Sequence, residues 1–176
     1  TATFVYEDRR LVEGLEDHTV SWSSLLIGRG LTRASWHLTS SPQAAHAVNV
    51  GLHLLMVGLV WLVSARLLET WMAVGIAGIT ALHPITTETV AYAASRAELL
   101  AAVGVLGALA CATARSAWWW LLLPACLWFA YAGKETGLIG IGLLPLVLWA
   151  RGERLWAEVL AYVVVAAGIV LLAVEG

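Results

Sequence analysis

The sequence predicts an all-α protein, a polytopic membrane helical bundle of about six hydrophobic helices that follows an amino-terminal amphipathic segment at the membrane interface. Of the 176 residues, 60% are hydrophobic and only 12% are charged, whereas a soluble domain carries roughly 25% charged residues. Several apolar runs approach the ~20 residues that cross a bilayer. The net charge of −2 offers no basic surface, so we expect no nucleic-acid partner.

Two regions are predicted. Residues 1–41 form an extracytoplasmic loop, and residues 42–176 form the transmembrane helical bundle. Within the loop, apolar side chains at helical spacing in residues 19–27 favour a short amphipathic helix that lies at the interface. A helix that packs as a lid on the membrane domain is the alternative.

The predicted hydrophobic helices follow from apolar runs and from proline. Pro42 begins the first helix at a position where proline is tolerated. His83 ends the second helix, because the residue before a proline is disfavoured in the α conformation. The six predicted ranges are 42–65, 71–82, 86–114, 118–132, 137–149 and 156–174.

The topology follows from the positive-inside rule. Arginines in alternate connections, Arg66, Arg115, Arg151 and Arg154, place those connections in the cytoplasm. The remaining connections are then extracytoplasmic. We expect a protein of the bacterial inner membrane with a polar site on its extracytoplasmic side.

Charged residues from three connections converge on that side. Ionisable groups near a membrane are costly and suggest a functional site. Arginine and lysine are typical phosphate ligands, and a carboxylate such as Asp8 or Glu88 is a candidate base for an incoming hydroxyl. The converging residues are Glu7, Asp8, His83, Glu88, Arg96, Lys134 and Glu135.

Structural roles for the same residues stay open. Glu88 is equally placed to act as an acid at a helix start. Arg96 and Glu98 could form structural ion pairs with the first loop or with each other. Lys134 and Glu135 could form a local pair at a break between two helices.

Two further patterns concern helix packing. His46, Asn49 and His53 share one helix face, which favours a hydrogen-bonded seam between helices over a ligand or metal role. Small residues four apart, Gly104 with Ala108 and Gly133 with Gly137, indicate close helix packing. No complete metal or nucleotide motif is present.

The order of the polar motifs resembles a known family. Over residues 4–150, the chain is similar to the amino-terminal membrane half of the GT-C glycosyltransferases, and most of all to the protein O-mannosyltransferase-like branch that carries tetratricopeptide repeats. The motifs that carry the resemblance are Tyr6-Glu7-Asp8-Arg9, Arg29-Gly30-Leu31-Thr32-Arg33-Ala34-Ser35, Val48-Asn49-Val50-Gly51-Leu52-His53-Leu54-Leu55, Ala81-Leu82-His83-Pro84, Glu88-Thr89-Val90-Ala91-Tyr92, Ser95-Arg96-Ala97-Glu98-Leu99-Leu100 and Gly133-Lys134-Glu135-Thr136-Gly137.

The resemblance implies an enzyme that transfers a sugar from a polyprenyl-phosphate donor to an acceptor on the extracytoplasmic face. Asp8, with Glu7, is then the candidate base, and Arg96 and Lys134 are the candidate donor-phosphate ligands. The substrate-binding wall would include His83, Glu88 and Glu135. The donor lipid is the expected co-substrate, and a divalent metal is an open expectation.

The alternative is a shortened relative without catalysis that serves as a structural or accessory subunit of a larger membrane complex. The expected partners are membrane lipids and the polyprenyl-phosphate sugar, together with a protein acceptor or partner membrane subunits. A transporter is disfavoured, since the charges lie at one face and not through the bilayer midplane.

Overall fold

A computed structural model describes residues 29–37, 39, 41–92, 95–114, 118–150 and 168. Within these ranges every regular element is helical, which confirms the all-α prediction. The elements in chain order are α1 (Gly30–His37), α2 (Pro42–Leu67), α3 (Thr70–Leu82), α4 (Pro84–Ala91), α5 (Arg96–Thr113), α6 (Trp118–Gly133), a 3₁₀ helix (Glu135–Leu138) and α7 (Ile139–Ala150).

Helix α2 begins where the sequence predicts. The Ser41 hydroxyl accepts a hydrogen bond from the Ala44 backbone N–H at 3.2 Å, and Pro42 occupies the first turn. The cap satisfies one of the N–H groups that a helix start leaves without an intrahelical partner. At the other end of α2, the Arg66 guanidinium donates to the Ala110 carbonyl near the end of α5.

Helix α5 lies at the centre of the packing, and most of its residues are buried. It contacts α2, α6 and α7. A Cβ atom at Gly104 would lie 2.5 Å from the Ala130 backbone nitrogen of α6, and one at Gly133 would lie 2.9 Å from the Ala101 nitrogen of α5. Small residues therefore allow close backbone approach, which confirms the packing role predicted for these glycines.

Helices α2 and α3 expose large apolar side chains. Helix α3 buries only Ala73 and Ala77, while Trp71 is 68% exposed. Helix α2 exposes Leu54 and Trp61 among others. So many exposed large apolar side chains on two neighbouring helices are unusual on a soluble monomer and are typical of an interaction or membrane surface.

Within the described residues, two helices are long and apolar enough to cross a membrane, namely Pro42–Leu67 and Arg96–Thr113. Only 28% of the apolar window of the first is buried, against 67% of the second. This exposure of α2 supports a membrane location. The other apolar helices in this part of the chain are shorter, so the predicted six-span bundle is not confirmed. The predicted helices at 19–27 and 156–174 lie outside the described residues.

A region predicted to form one helix forms two helices in the structure, α4 and α5. The sequence predicted a continuous helix over 86–114, but the chain is extended at Tyr92 (φ −93°, ψ 119°), between α4 and α5. The Tyr92 carbonyl accepts from the Asn49 side-chain amide at 3.1 Å and from the Ser95 N–H at 3.1 Å. In a continuous helix the Tyr92 carbonyl would accept an intrahelical hydrogen bond. Here the Asn49 side chain and the Ser95 N–H satisfy it instead.

Candidate functional site

Arg96 lies at the start of α5 and is fully buried (0% exposed). Its Nε donates to Asn49 Oδ1 at 3.2 Å, and one terminal nitrogen donates to the Ala45 carbonyl at 3.2 Å. The other terminal nitrogen donates to the Ser35 carbonyl at 2.9 Å and to Thr39 Oγ1 at 3.0 Å. The planar donor fork of arginine thus joins α1, Thr39, α2 and α5.

Among the described residues, uncharged hydrogen-bond acceptors and one aromatic ring surround this guanidinium. Its central carbon lies 4.4 Å from the centre of the Trp36 ring, a cation–π contact. Within the described ranges no carboxylate lies within ion-pair distance of Arg96, so the predicted pair with Glu98 is not formed. A donor phosphate would reach this group only after protein acceptors were displaced. The predicted phosphate role of Arg96 stays a prediction.

Lys134 and Glu135 each pair with another residue. The Lys134 ammonium contacts the Glu98 carboxylate, and Arg29 Nε lies 3.2 Å from Glu135 Oε2. The local Lys134–Glu135 pair, which the sequence left as an alternative, is therefore replaced by two longer-range pairs. The Thr32 hydroxyl also donates a hydrogen bond of 2.7 Å to the Gly133 carbonyl. Together these contacts hold α1 against the break between α6 and the 3₁₀ helix.

The Glu135 carboxylate is held in its ionised form. A hydrogen bond from its own backbone N–H, and then the nearby Arg29 guanidinium, lowers the pKa of Glu135. A lowered pKa in the folded state adds stability above the unfolded pKa of about 4.3, and this stability is lost as the pH falls through the folded pKa. Because both side chains of the pair are 54% exposed, solvent screening keeps the contribution small.

We therefore expect Glu135→Gln to remove an acid-sensitive part of the stability. Between pH 7 and pH 3, wild type should lose up to about 1 kcal/mol more unfolding free energy than the variant. Equilibrium unfolding at several pH values measures this difference. Glu88→Gln, on a carboxylate that makes no ion pair within the described residues, is the matched control and should retain the wild-type dependence. Parallel profiles for wild type and Glu135→Gln would contradict the assignment.

Glu88 lies on a separate helix, α4, and His83 immediately precedes that helix. His83 Nδ1 accepts from the Ile85 N–H at 3.2 Å and caps α4, with Pro84 in the first turn. Glu88 lies beyond that first turn and is exposed, so it is not the helix-start acid of the alternative interpretation. No hydrogen bond or ion pair in the described part of the chain joins either side chain to Lys134 or Glu135. Their shared site therefore stays a prediction.

The predicted base residues, Glu7 and Asp8, lie outside the described residues. The structure therefore neither brings them to the other candidates nor separates them. Among the residues that are described, no group of three His, Cys, Asp or Glu side chains is placed to hold a metal ion. The divalent metal stays an expectation, since the acids of the first loop are not included.

The polar face of α2 forms an interhelical seam. Asn49 is buried between Arg96 and the Tyr92 carbonyl, and His53 Nε2 lies 3.3 Å from the Ala81 carbonyl at the end of α3. His46, by contrast, is exposed. The seam interpretation is confirmed for Asn49 and His53, which join α2 to the end of α3 and to the chain that follows α4.

Sequence reasoning missed the partners of Arg96 on and beside α1. Ser35, Trp36 and Thr39 fall on one face of a helical turn, and that spacing was the available signal. It was overlooked because the prediction placed the amphipathic helix at 19–27. Arg29 was named only as part of a family motif, and its pairing with Glu135 was not predicted.

The two ends of the bundle differ in chemistry. Helices α2 and α5 run in the same direction, because Asn49 contacts Arg96 near their starts and Arg66 contacts Ala110 near their ends. Arg96, Lys134 and Glu135 therefore lie at the end opposite Arg66, as the topology prediction requires. Which side of the membrane this end faces stays a prediction.

Comparison with known proteins gives one informative match. No family model matches the chain, and no solved structure matches it. The chain is similar to protein O-mannosyl-transferase Tmtc1 from Drosophila melanogaster. The two are 34% identical over 127 aligned residues, a match that covers 58% of this chain and 15% of Tmtc1. The chain thus corresponds to a small part of Tmtc1, and the match supports a distant relation.

Proposed function

We propose that this chain is the amino-terminal membrane part of a GT-C-like glycosyltransferase that transfers a sugar from a polyprenyl-phosphate donor to an acceptor on the extracytoplasmic face. The observation that carries the proposal is the 34% identity with Tmtc1, whose name describes a protein O-mannosyl-transferase. The collection of basic and acidic groups at one end of the bundle supports it.

The proposed roles follow from exposure and bonding. Lys134 is the donor-phosphate ligand, because its side chain is 24% exposed and an ammonium carries three donors, one of which contacts Glu98. Arg96 is a positioning residue that fixes α1 and Thr39 against α2 and α5. Asp8, with Glu7, acts as the base that accepts the proton of the attacking hydroxyl.

His83, Glu88 and Glu135 complete the proposed substrate wall. Glu88 presents a carboxylate from α4, His83 presents its ring at the start of the same helix, and Glu135 is fixed by Arg29. Transfer breaks the bond between the anomeric carbon of the sugar and the phosphate oxygen and forms a bond to the acceptor oxygen. The leaving polyprenyl phosphate gains negative charge, which a neighbouring ammonium stabilises.

Measurements of kcat and of the KM for the donor in variants of Asp8 and Lys134 test the proposal. With the full protein and polyprenyl-phosphate mannose, Asp8→Asn should lower kcat by a factor of about 10² to 10⁴, the range for general base catalysis. Lys134→Ala should raise the KM for the donor by about tenfold or more, because it removes a charge-assisted hydrogen bond. It should also lower kcat, because the ammonium no longer stabilises the charge on the leaving phosphate. Measured transfer rates at varied donor concentration separate the two effects.

Glu69→Gln is the matched control for the transfer assay. This exposed carboxylate lies beside Trp71 at the start of α3, near the Arg66 end of the bundle. The control should leave kcat and KM unchanged. Unchanged rates for Asp8→Asn and Lys134→Ala would instead refute the assigned roles.

A second candidate is a catalytically silent accessory subunit of a larger membrane complex. One observation favours it. Both basic candidates among the described residues already have protein partners, since Arg96 is fully enclosed and Lys134 contacts Glu98. Stable co-purification with membrane partners, together with absence of sugar transfer by the full protein, would favour this candidate over the enzyme.

A further inference from the structure

A groove runs along α5 and is bordered on its other side by the 3₁₀ helix and the start of α7. It has a volume of about 300 Å³ and is lined by Glu98, Ala102, Val105, Leu106, Thr136 and Ile139, among others. From Glu98 to Leu106 the helix rises by roughly 12 Å at ~1.5 Å per residue. Ile139 is 64% exposed, so the groove opens toward the outside of the bundle.

The lining of the groove is apolar along its length and polar at one end. Ala102, Val105 and Leu106 supply the apolar wall, whereas the Glu98 carboxylate and the Thr136 hydroxyl mark the polar end. The volume is at the lower limit of ligand clefts, which measure roughly 300–1,000 Å³. This form suits an amphipathic molecule with one narrow apolar chain and a polar headgroup.

The charges at the polar end define the headgroup. Glu98 Oε1 contacts the Lys134 ammonium, while Oε2 has no hydrogen-bond partner among the described residues. Lys134 in turn has donors beyond the one that contacts Glu98. A spare anionic acceptor thus lies beside spare cationic donors. A headgroup that carries an ammonium next to a phosphate matches these two groups in charge. The Glu98 carboxylate repels a lipid whose headgroup is purely anionic.

We infer that this groove binds one acyl chain of a phosphatidylethanolamine-type lipid, whose ammonium donates to Glu98 and whose phosphate accepts from Lys134. The lipid would fill the gap between α5 and α7 and join the two helices at their polar end. The inference goes beyond the proposed sugar transfer and does not require it. Because Lys134 is also the proposed ligand of the donor phosphate, the bound lipid and the donor would exclude one another at this residue.

Lipid retention by the full protein tests the inference. Native mass spectrometry after exposure to equal amounts of phosphatidylethanolamine and phosphatidylcholine with identical chains measures the preference. The quaternary ammonium of phosphatidylcholine has no N–H, so we expect about tenfold stronger retention of phosphatidylethanolamine, the order of one charge-assisted hydrogen bond. Glu98→Gln should bring the two lipids close to parity. Equal retention of both lipids by wild type would overturn the inference.

A second pair of variants tests the location. Ala102→Phe should fill the groove and abolish preferential retention, whereas Val74→Phe, at an exposed position on α3, should retain it. Wild-type retention by Ala102→Phe would overturn the inference, even if Glu98→Gln behaved as expected.

Competition by polyprenyl phosphate separates this inference from the proposed function. Efficient displacement of phosphatidylethanolamine from wild type and Glu98→Gln alike would show that the groove takes a purely anionic lipid, and would overturn the inference. Retention of phosphatidylethanolamine by a protein without transfer activity would overturn the proposed function alone.

Discussion

Replacement of Arg96 by methionine should destabilise the protein by roughly 3 kcal/mol or more, because each buried polar group left without a partner costs about 1–3 kcal/mol. The side chain would keep most of its volume, but the acceptors on Asn49, Ser35, Thr39 and Ala45 would lose their donor. Buried acceptors without partners are costly. Equilibrium unfolding in mixed micelles measures the loss.

Lysine at position 96 should recover only part of that stability. Its ammonium keeps the charge, but it lacks the planar fork that reaches acceptors on several elements at once. Arg33→Met is the matched control, because Arg33 is exposed on α1, and its effect should stay within about 0.5 kcal/mol. If Arg96→Met were as mild as the control, Arg96 would not be the residue that holds α1 to α2 and α5.

Replacement of Gly104 by alanine should also destabilise the protein, by about 1–3 kcal/mol, as overpacking does in a well-packed core. The new Cβ would lie 2.5 Å from the Ala130 nitrogen and 2.6 Å from its Cα. Both are backbone atoms, so the strain is relieved only if α5 and α6 separate. Thermal or denaturant unfolding of the two proteins measures the difference.

Gly58→Ala provides a sharp control for this variant. Gly58 lies within α2, and a Cβ there would meet nothing within 4 Å. The same chemical change should therefore stabilise the helix by up to about 1 kcal/mol through helix propensity. Opposite signs for the two substitutions are the expected result. Equal stabilisation by both would contradict the close α5–α6 packing.

Much of the helical organisation was predictable from the sequence because its signals are local. Pro42 and the apolar run that follows it predicted α2, and His83-Pro84 predicted the end of α3. The break at Tyr92 was not predictable in this way. No proline or glycine lies in residues 85–95, and the break depends on hydrogen bonds from Asn49, which is 43 residues away in the chain.

The candidate site was predictable as a set of residues but not as a set of contacts. Membrane topology brought Arg96, Lys134 and Glu135 to one end of the bundle, and the structure has all three there. The sequence could not reveal that Arg96 is enclosed by uncharged acceptors or that Lys134 pairs with Glu98. Such pairings depend on how α1 packs, and α1 carries too short a pattern to be distinguished from the polar segment around it.

We propose that the end of the bundle with Arg96, Lys134 and Glu135 belongs to an enzyme that uses a lipid-linked sugar. A single-turnover measurement with purified full protein and radiolabelled polyprenyl-phosphate mannose tests it most directly. We expect label to move from the donor lipid to an acceptor in wild type, and the rate of this transfer to fall at least about 10²-fold in Asp8→Asn. Donor that binds to wild type but stays intact, or equal rates in the two proteins, would contradict it.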